Sequence, residues 1–346
     1  MSWVQLQHIW FFLIGVLFLG YSVLDGFDLG IGALLPFLAR SEDERRALFN
    51  AVGPFWDGNE VWLLTGGGAL FAAFPYAYAT VFSGFYLALM AVLFALIFRA
   101  TALEFYRYDP AHGKAWAFAF ELGSFLPALL YGVALGNVIV GIPLDGRGDF
   151  TGTFFTLLRP YPLAIGLAGL GAILLQGAAF AAMKTRGELQ RRAHKIIGPL
   201  SWAFIALFLL SGVIAFFFTP WAFRRPLAYG GALLTGGAWF WLRRCNRRDK
   251  PGLAFTASSL QLAGLWTVAG ASLYPNLVRA SNGDAFSLTL RNASSSPLTL
   301  KVMLLIALIG MPVVVGYTIF VYRIFRGHDG PDPRPEGNPG QNKSGA

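Results

Sequence analysis

One cysteine, four histidines and few charges set the first limits on this 346-residue chain. The lone Cys245 excludes an internal disulfide framework and any multi-cysteine zinc or iron–sulfur site built within the chain. His8, His112, His194 and His328 fall at the ends of apolar runs, in the polar segments between them or in the tail. A membrane haem held by two histidines needs both well inside helices, so the chain is expected to bind no haem alone. Met90, Met183, Met303 and Met311 read as apolar filling. Charged residues make up only 13% of the chain, about half the ~25% with which a soluble domain builds its polar shell. The net charge of +9 does not point to nucleic acid, because the cations gather between apolar runs as they do in cytoplasmic loops. Gly66-Gly67-Gly68 has the composition of a phosphate loop without the Lys-Ser/Thr that follows one, and close helix packing explains it better.

What the sequence has in place of a polar shell is a series of apolar runs near the ~20 residues that cross a bilayer core as helix. They predict nine spans: Ile9–Leu38, Pro54–Phe74, Tyr76–Phe98 after a tight turn at Pro75, Trp116–Val140, Tyr161–Met183, Ile196–Phe218, Ala228–Leu242, Leu253–Tyr274 and Leu300–Phe325. The seventh is short and glycine-rich. The first starts at His8 without a basic leader and outruns a signal-peptide core, so it is expected to stay in the membrane. Lys and Arg divide 20 against 7 between alternate sides, with Arg99, Arg107 and Lys114 assigned to the third loop. That split places the N-terminus outside and the C-terminus in the cytoplasm of a bacterial inner membrane. Residues 1–327 thus form an all-α transmembrane domain. The tail 328–346, rich in Pro, Gly and polar residues, is expected to be disordered and cytoplasmic. In the longest outer loop, the alternation Ala285-Phe286-Ser287-Leu288-Thr289-Leu290 suggests a short strand.

Acids inside spans are costly, about 2.5–3.5 kcal/mol for a central Asp on insertion scales, so they mark protein interiors or water paths. Asp25 and Asp28, at i and i+3 in the first span, share a helix face. Two carboxylates so placed cannot both ionise cheaply, which suggests a shared proton. Asp57 and Glu60 repeat the spacing at the start of the second span, where a helix N-terminus alone also favours acids by roughly 0.3–1 kcal/mol. Glu121 lies near the start of the fourth span, with Gln176 and Gln261 at similar depth. The predicted topology gathers all of these on the cytoplasmic side, as a half-channel for proton uptake would. A secondary transporter with a coupling-ion site is the alternative.

Several long motifs then resemble those of subunit II of cytochrome bd-type quinol oxidases. They are Tyr21–Gly32 (YSVLDGFDLGIG), Gly53–Phe85 (GPFWDGNEVWLLTGGGALFAAFPYAYATVFSGF), Gly123–Gly141 (GSFLPALLYGVALGNVIVG), Gln176-Gly177-Ala178 and Tyr274–Leu300 (YPNLVRASNGDAFSLTLRNASSSPLTL). The resemblance covers nearly the whole chain and implies two four-helix bundles plus one peripheral helix. It implies a haem-free subunit paired with a similarly folded subunit I that carries the b and d haems and the quinol-oxidising loop. Small accessory subunits, quinol or quinone, and lipid are the other implied partners. It further implies that Asp57 stands beside a proton path at the subunit interface, with Asp28 in the same motif region. Glu60 occupies a position where many members carry Gln.

Overall fold

The computed structural model describes residues 1–325 and residue 327. The disordered cytoplasmic tail expected at 328–346 lies outside the described residues. Eleven α-helices carry the fold: α1 Trp3–Leu38, α2 Glu42–Val52, α3 Trp56–Ala73, α4 Pro75–Gly84, α5 Tyr86–Tyr108, α6 Gly113–Val140, α7 Pro160–Lys184, α8 Gly187–Phe218, α9 Pro226–Arg247, α10 Pro251–Leu273 and α11 Pro297–Ile324. Six of them (α1, α5, α6, α7, α8 and α11) are long and apolar enough to cross a membrane. Strands β1 Asn276–Val278 and β2 Leu288–Thr289 pair antiparallel between α10 and α11. Only the end of the alternating stretch is therefore strand, while Asp284–Phe286 turns as a short 3₁₀ helix.

The largest departure from the expected spans lies between Pro75 and Tyr108. Pro75 opens a helix as predicted, but that helix ends at Gly84, and a second one starts at Tyr86 and runs to Tyr108. Gly84 sits so close to Phe150 that an added Cβ would approach its ring side chain at 2.8 Å. At 10 residues, α4 rises only ~15 Å, half a bilayer core. The apolar helix is thus displaced toward the C-terminus, and Arg99 falls inside α5 rather than in a loop, fully buried. The loop tally of cations loses one member accordingly. Helix α8 likewise begins nine residues before the expected Ile196, so Arg191, Arg192 and Lys195 lie on its first turns.

Helix contacts divide the chain. The strongest packings join α5 to α6, α6 to α7, α7 to α8, and α9 to α10, with α1 wedged against α3, α6 and α7. Helix α11 touches α1 and α3 and buries only Leu300 along its length. The second half of α1 is buried without a break from Asp25 to Leu35. Glycine makes that possible: a Cβ on Gly30 would meet the Ile173 carbonyl oxygen at 2.3 Å, and one on Gly177 would meet the Gly30 backbone at 2.4 Å. Two bare backbones cross here, as small residues allow in membrane helices.

Helix α2, read from the sequence as loop, is a short amphipathic element. Its first turn holds Glu42, Asp43 and Glu44, capped by Ser41, while Ala47, Leu48, Phe49, Ala51 and Val52 are buried. Such a cap with acids in the first turn favours helix over loop. Glu44 ties it down: Oε2 accepts from the Arg40 backbone amide at 2.7 Å, and the carboxylate pairs with Arg192 of α8. Arg192 in turn donates to the Leu38 carbonyl at 2.8 Å. Partial burial pushes the Glu44 carboxyl up, but the Arg40 amide and the Arg192 guanidinium outweigh it and hold the group below the usual carboxylate range. A depressed carboxyl contributes stability in full above its unfolded value, about 4.3, and loses it as pH falls through the folded value. Acidification from about pH 5 to 3 is therefore expected to lower the melting temperature of the solubilised protein more steeply than that of Glu44→Gln. Parallel curves for the two would exclude this role.

Candidate functional site

The chemistry gathers where α1, α3 and α5 meet. Asp25 and Asp28 are both fully buried, and they do not form an isolated acid pair. Arg99 Nη1 donates to Asp25 Oδ2 at 2.8 Å and Nη2 donates to Oδ1, so the guanidinium grips the carboxylate with both prongs. That geometry is the strongest available to an ion pair. Nη1 also stands 3.5 Å from Glu60 Oε1, whose side chain keeps 23% of its surface exposed. Arg99 reaches this depth because α5 and α6 approach closely at Gly123, where a Cβ would lie 2.5 Å from the Ala95 carbonyl and 2.9 Å from Arg99 Cβ.

Asp28 has a different partner. Asn59, one residue before Glu60 and 2% exposed, donates from Nδ2 to Asp28 Oδ2 at 2.8 Å and to the Leu24 carbonyl at 3.2 Å. Asp28 Oδ1 is buried without a hydrogen-bond partner, as are the Tyr21 and Tyr131 hydroxyls. The two tyrosine rings meet edge-on, 5.6 Å apart. Arg99 and Asn59 are the two polar groups that sequence reasoning missed. Asn59 stood inside the Asp57–Glu60 motif without an assigned role, and Arg99 was placed beyond the membrane edge by the hydropathy boundary. The signal for Arg99 was the continuation of helix-forming residues through Tyr108.

The remaining predicted residues divide. Glu60 joins the cluster through Arg99. Asp57 does not: its side chain is exposed and points away from Asn59, at the head of a face that also exposes Val61, Leu64 and Phe71. Glu121 on α6 is half-exposed, and no hydrogen bond or ion pair ties it to the cluster among the described residues. Gln176 belongs to a separate polar seam, donating to the Val23 carbonyl and to Ser259 Oγ, both at 3.0 Å, and accepting from Ser258. Gln261 is fully buried. Among the described residues, no group of three or more His, Cys, Asp or Glu side chains is placed to hold a metal ion.

An arginine that neutralises one of two buried acids, with a third acid that keeps part of its surface in contact with the outside, leaves a site able to hold a proton and exchange it with the surface beside Glu60. Comparisons with known proteins bear on what such a site serves. The family described as cytochrome bd terminal oxidase subunit II matches residues 6–325. The chain is 36% identical to the cytochrome bd-I ubiquinol oxidase subunit 2 of Escherichia coli K12, over 92% of this chain and 93% of that one. It is also 36% identical to the cytochrome bd ubiquinol oxidase subunit 2 of Bacillus subtilis, over 93% and 96%. The fold matches the solved structure of bd oxidase from Geobacillus thermodenitrificans with a TM-score of 0.79 at 15% identity, over 93% of this chain and 98% of that one. The motifs around Asp25, Asp28, Asp57 and Glu60 therefore sit in a membrane protein that belongs to the cytochrome bd terminal oxidase subunit II family.

Proposed function

We propose that this chain is the haem-free second subunit of a terminal oxidase that takes electrons from quinol and reduces oxygen to water. Family membership and the names of the relatives support the activity and stand against the transporter alternative. The chain crosses a bacterial inner membrane nine times, on α1, α3 and α5 through α11, with its N-terminus outside and C-terminus in the cytoplasm. Helices α1, α3, α5 and α6 form one four-helix bundle, α7 through α10 the other, and α11 is peripheral. A haem-bearing subunit I, with haem b and haem d, is its partner in a heterodimer, and small accessory subunits pack around that core. The haems, when bound in that partner, supply the electron transfer and the oxygen chemistry. This chain supplies protons.

The observation that carries the proton role is the placement of Asp57. It is an exposed carboxylate at the end of an apolar, outward-facing helix surface, a few residues from the buried Asp25–Arg99–Glu60 cluster. An acid in that position is costly against lipid and is accommodated against a hydrated protein interface. Asp57 receives protons from the cytoplasmic side at the subunit interface. Asp28 and Asp25 form the buried station beside it, Glu60 links the two, and Glu121 offers a further site at the cytoplasmic end of α6. Consuming protons drawn from inside while quinol releases them outside builds a membrane potential without a pump. A second feature favours a non-catalytic occupant: an apolar cavity of about 1480 Å³ lies between the helices, lined by Phe18, Tyr131, Leu135, Phe208 and Leu265 among others. Quinone or lipid fits its chemistry, and organic extraction of the purified complex identifies which.

The Asp57→Asn variant tests the proton role. Because Glu60 stands one helical turn on, quinol-dependent oxygen uptake is expected to fall about tenfold, a barrier increase of ~1.4 kcal/mol. The reduced-minus-oxidised haem spectrum of the complex should be unchanged. Full turnover in an assembled, haem-replete complex would exclude Asp57 from the path.

A further inference from the structure

Helix α11 touches the rest of the chain so sparsely that its inner end stands out. There Tyr322, half-buried, donates from its hydroxyl to Asn59 Oδ1 at 3.2 Å. Its ring leans on Phe55 with centroids 4.4 Å apart and meets Phe27 edge-on at 6.4 Å. Lys184 of α7 donates to the carbonyls of Phe325 and Gly327 and lies 5.2 Å over the Phe55 ring, which anchors the helix end. The outer end is held separately, by Trp10 Nε1 donating to the Leu300 carbonyl at 3.0 Å. Between these anchors α11 exposes Leu305, Ile306, Ile309, Val313 and Phe320. A helix with so little packing of its own still delivers one hydroxyl into the most polar part of the molecule.

An asparagine amide has two distinct ends, an acceptor oxygen and a donor nitrogen. Tyr322 can donate to Asn59 only through Oδ1, which turns Nδ2 toward Asp28 and the Leu24 carbonyl. Turned over, the amide would set its oxygen against the Leu24 carbonyl, which has no proton to give, and would take away the oxygen to which the Tyr322 hydroxyl donates. We infer that Tyr322 is a positioning residue of the proton site: its hydroxyl locks the Asn59 amide in the orientation that presents an N–H to Asp28. The lock leaves Asp28 Oδ1 as the one carboxyl oxygen of that residue without a donor, which is where a proton or a water would dock. The inference rests on the reading of the acid cluster as a proton station, and it concerns how that station is held rather than whether it works.

The test uses the intact complex with its partner subunit. Tyr322→Phe keeps the ring on Phe55 and removes only the hydroxyl. Oxygen uptake is expected to fall about fivefold, the kinetic equivalent of one ordinary hydrogen bond of ~1 kcal/mol, with haem content unchanged. The Asp28 carboxyl vibration, assigned in the infrared by its loss in Asp28→Asn, should shift in Tyr322→Phe. In an Asn59→Leu background the same change should have no further effect on either readout, because the lock acts through Asn59 alone. An unmoved Asp28 band, or independent effects of the two substitutions, would overturn the inference. Normal turnover in Asp28→Asn would instead overturn the proton reading, while the band shift would still report the lock.

Discussion

Arg99→Leu is expected to destabilise the assembled protein by about 3–5 kcal/mol, the cost of leaving a buried carboxylate without its counter-charge. Asp25 is fully buried and takes both of its hydrogen bonds from that one guanidinium. Among the described residues that guanidinium is its counter-charge, so Arg99 cannot be removed without stranding it. A loss of that size should appear as a melting temperature lowered by many degrees and as poor recovery of the complex from detergent. Replacing both partners, as Asp25→Leu with Arg99→Leu, removes the stranded charge, and stability should return to within about 1–2 kcal/mol of the parent, since apolar replacement of a buried pair is often neutral. Glu60 would then lose its ion pair, a smaller matter for a side chain that keeps contact with solvent. A single variant as stable as the parent would mean that Asp25 is neutral or re-solvated, and that the pair does not hold the bundle.

Gly30→Ala tests the other foundation of the site. The added Cβ would stand 2.3 Å from the Ile173 carbonyl and 2.8 Å from the Gly177 Cα. Both are backbone atoms of α7 that cannot swing aside as a side-chain tip can, so α1 and α7 must part. The cost should reach the upper end of overpacking penalties, about 3 kcal/mol. Gly15 provides the control on the same helix, because a Cβ there meets nothing within 4 Å. Gly15→Ala should be neutral or stabilising by roughly 0.5–1 kcal/mol, as expected where a helical glycine needs no close approach. Equal melting temperatures for the two variants would show that the crossing at Gly30 has slack.

The acids were legible in the sequence and their partners were not. Asp25 and Asp28 announced themselves by standing in an apolar run, and Glu60 by repeating the spacing. The two carboxylates were read without their counter-charge for a physical reason: the i, i+3 geometry fixes which side a residue faces but says nothing of what another helix brings there. Arg99, 74 residues from Asp25 in sequence, changes the electrostatics entirely. Hydropathy could not recover it, because an arginine at the edge of an apolar run reads the same whether it ends the span or is swallowed by it. The break at Gly84–Phe85 hid the true start of α5 for a similar reason, since residues on both sides of it are equally apolar. By contrast, α6, α7 and α10 begin and end within a few residues of their expected limits, where Pro, Gly or clustered charges mark the ends. Asp57 was found by motif, and its outward orientation follows from helical phase once Asn59 is known to face inward.

The grip of Arg99 on Asp25 also sets a schedule. A ribosome adding 5–20 residues per second reaches Arg99 about 4–15 s after Asp25. During that interval the first helix is already made, with two carboxyl groups and no arginine to answer them. Asn59 arrives first, 31 residues after Asp28, so the station is completed in two instalments. Until the second is delivered, α1 has reason to linger beside the insertion machinery or at the membrane surface rather than settle in lipid. The interval between the acid and its answering charge is thus set by the distance in sequence between two residues.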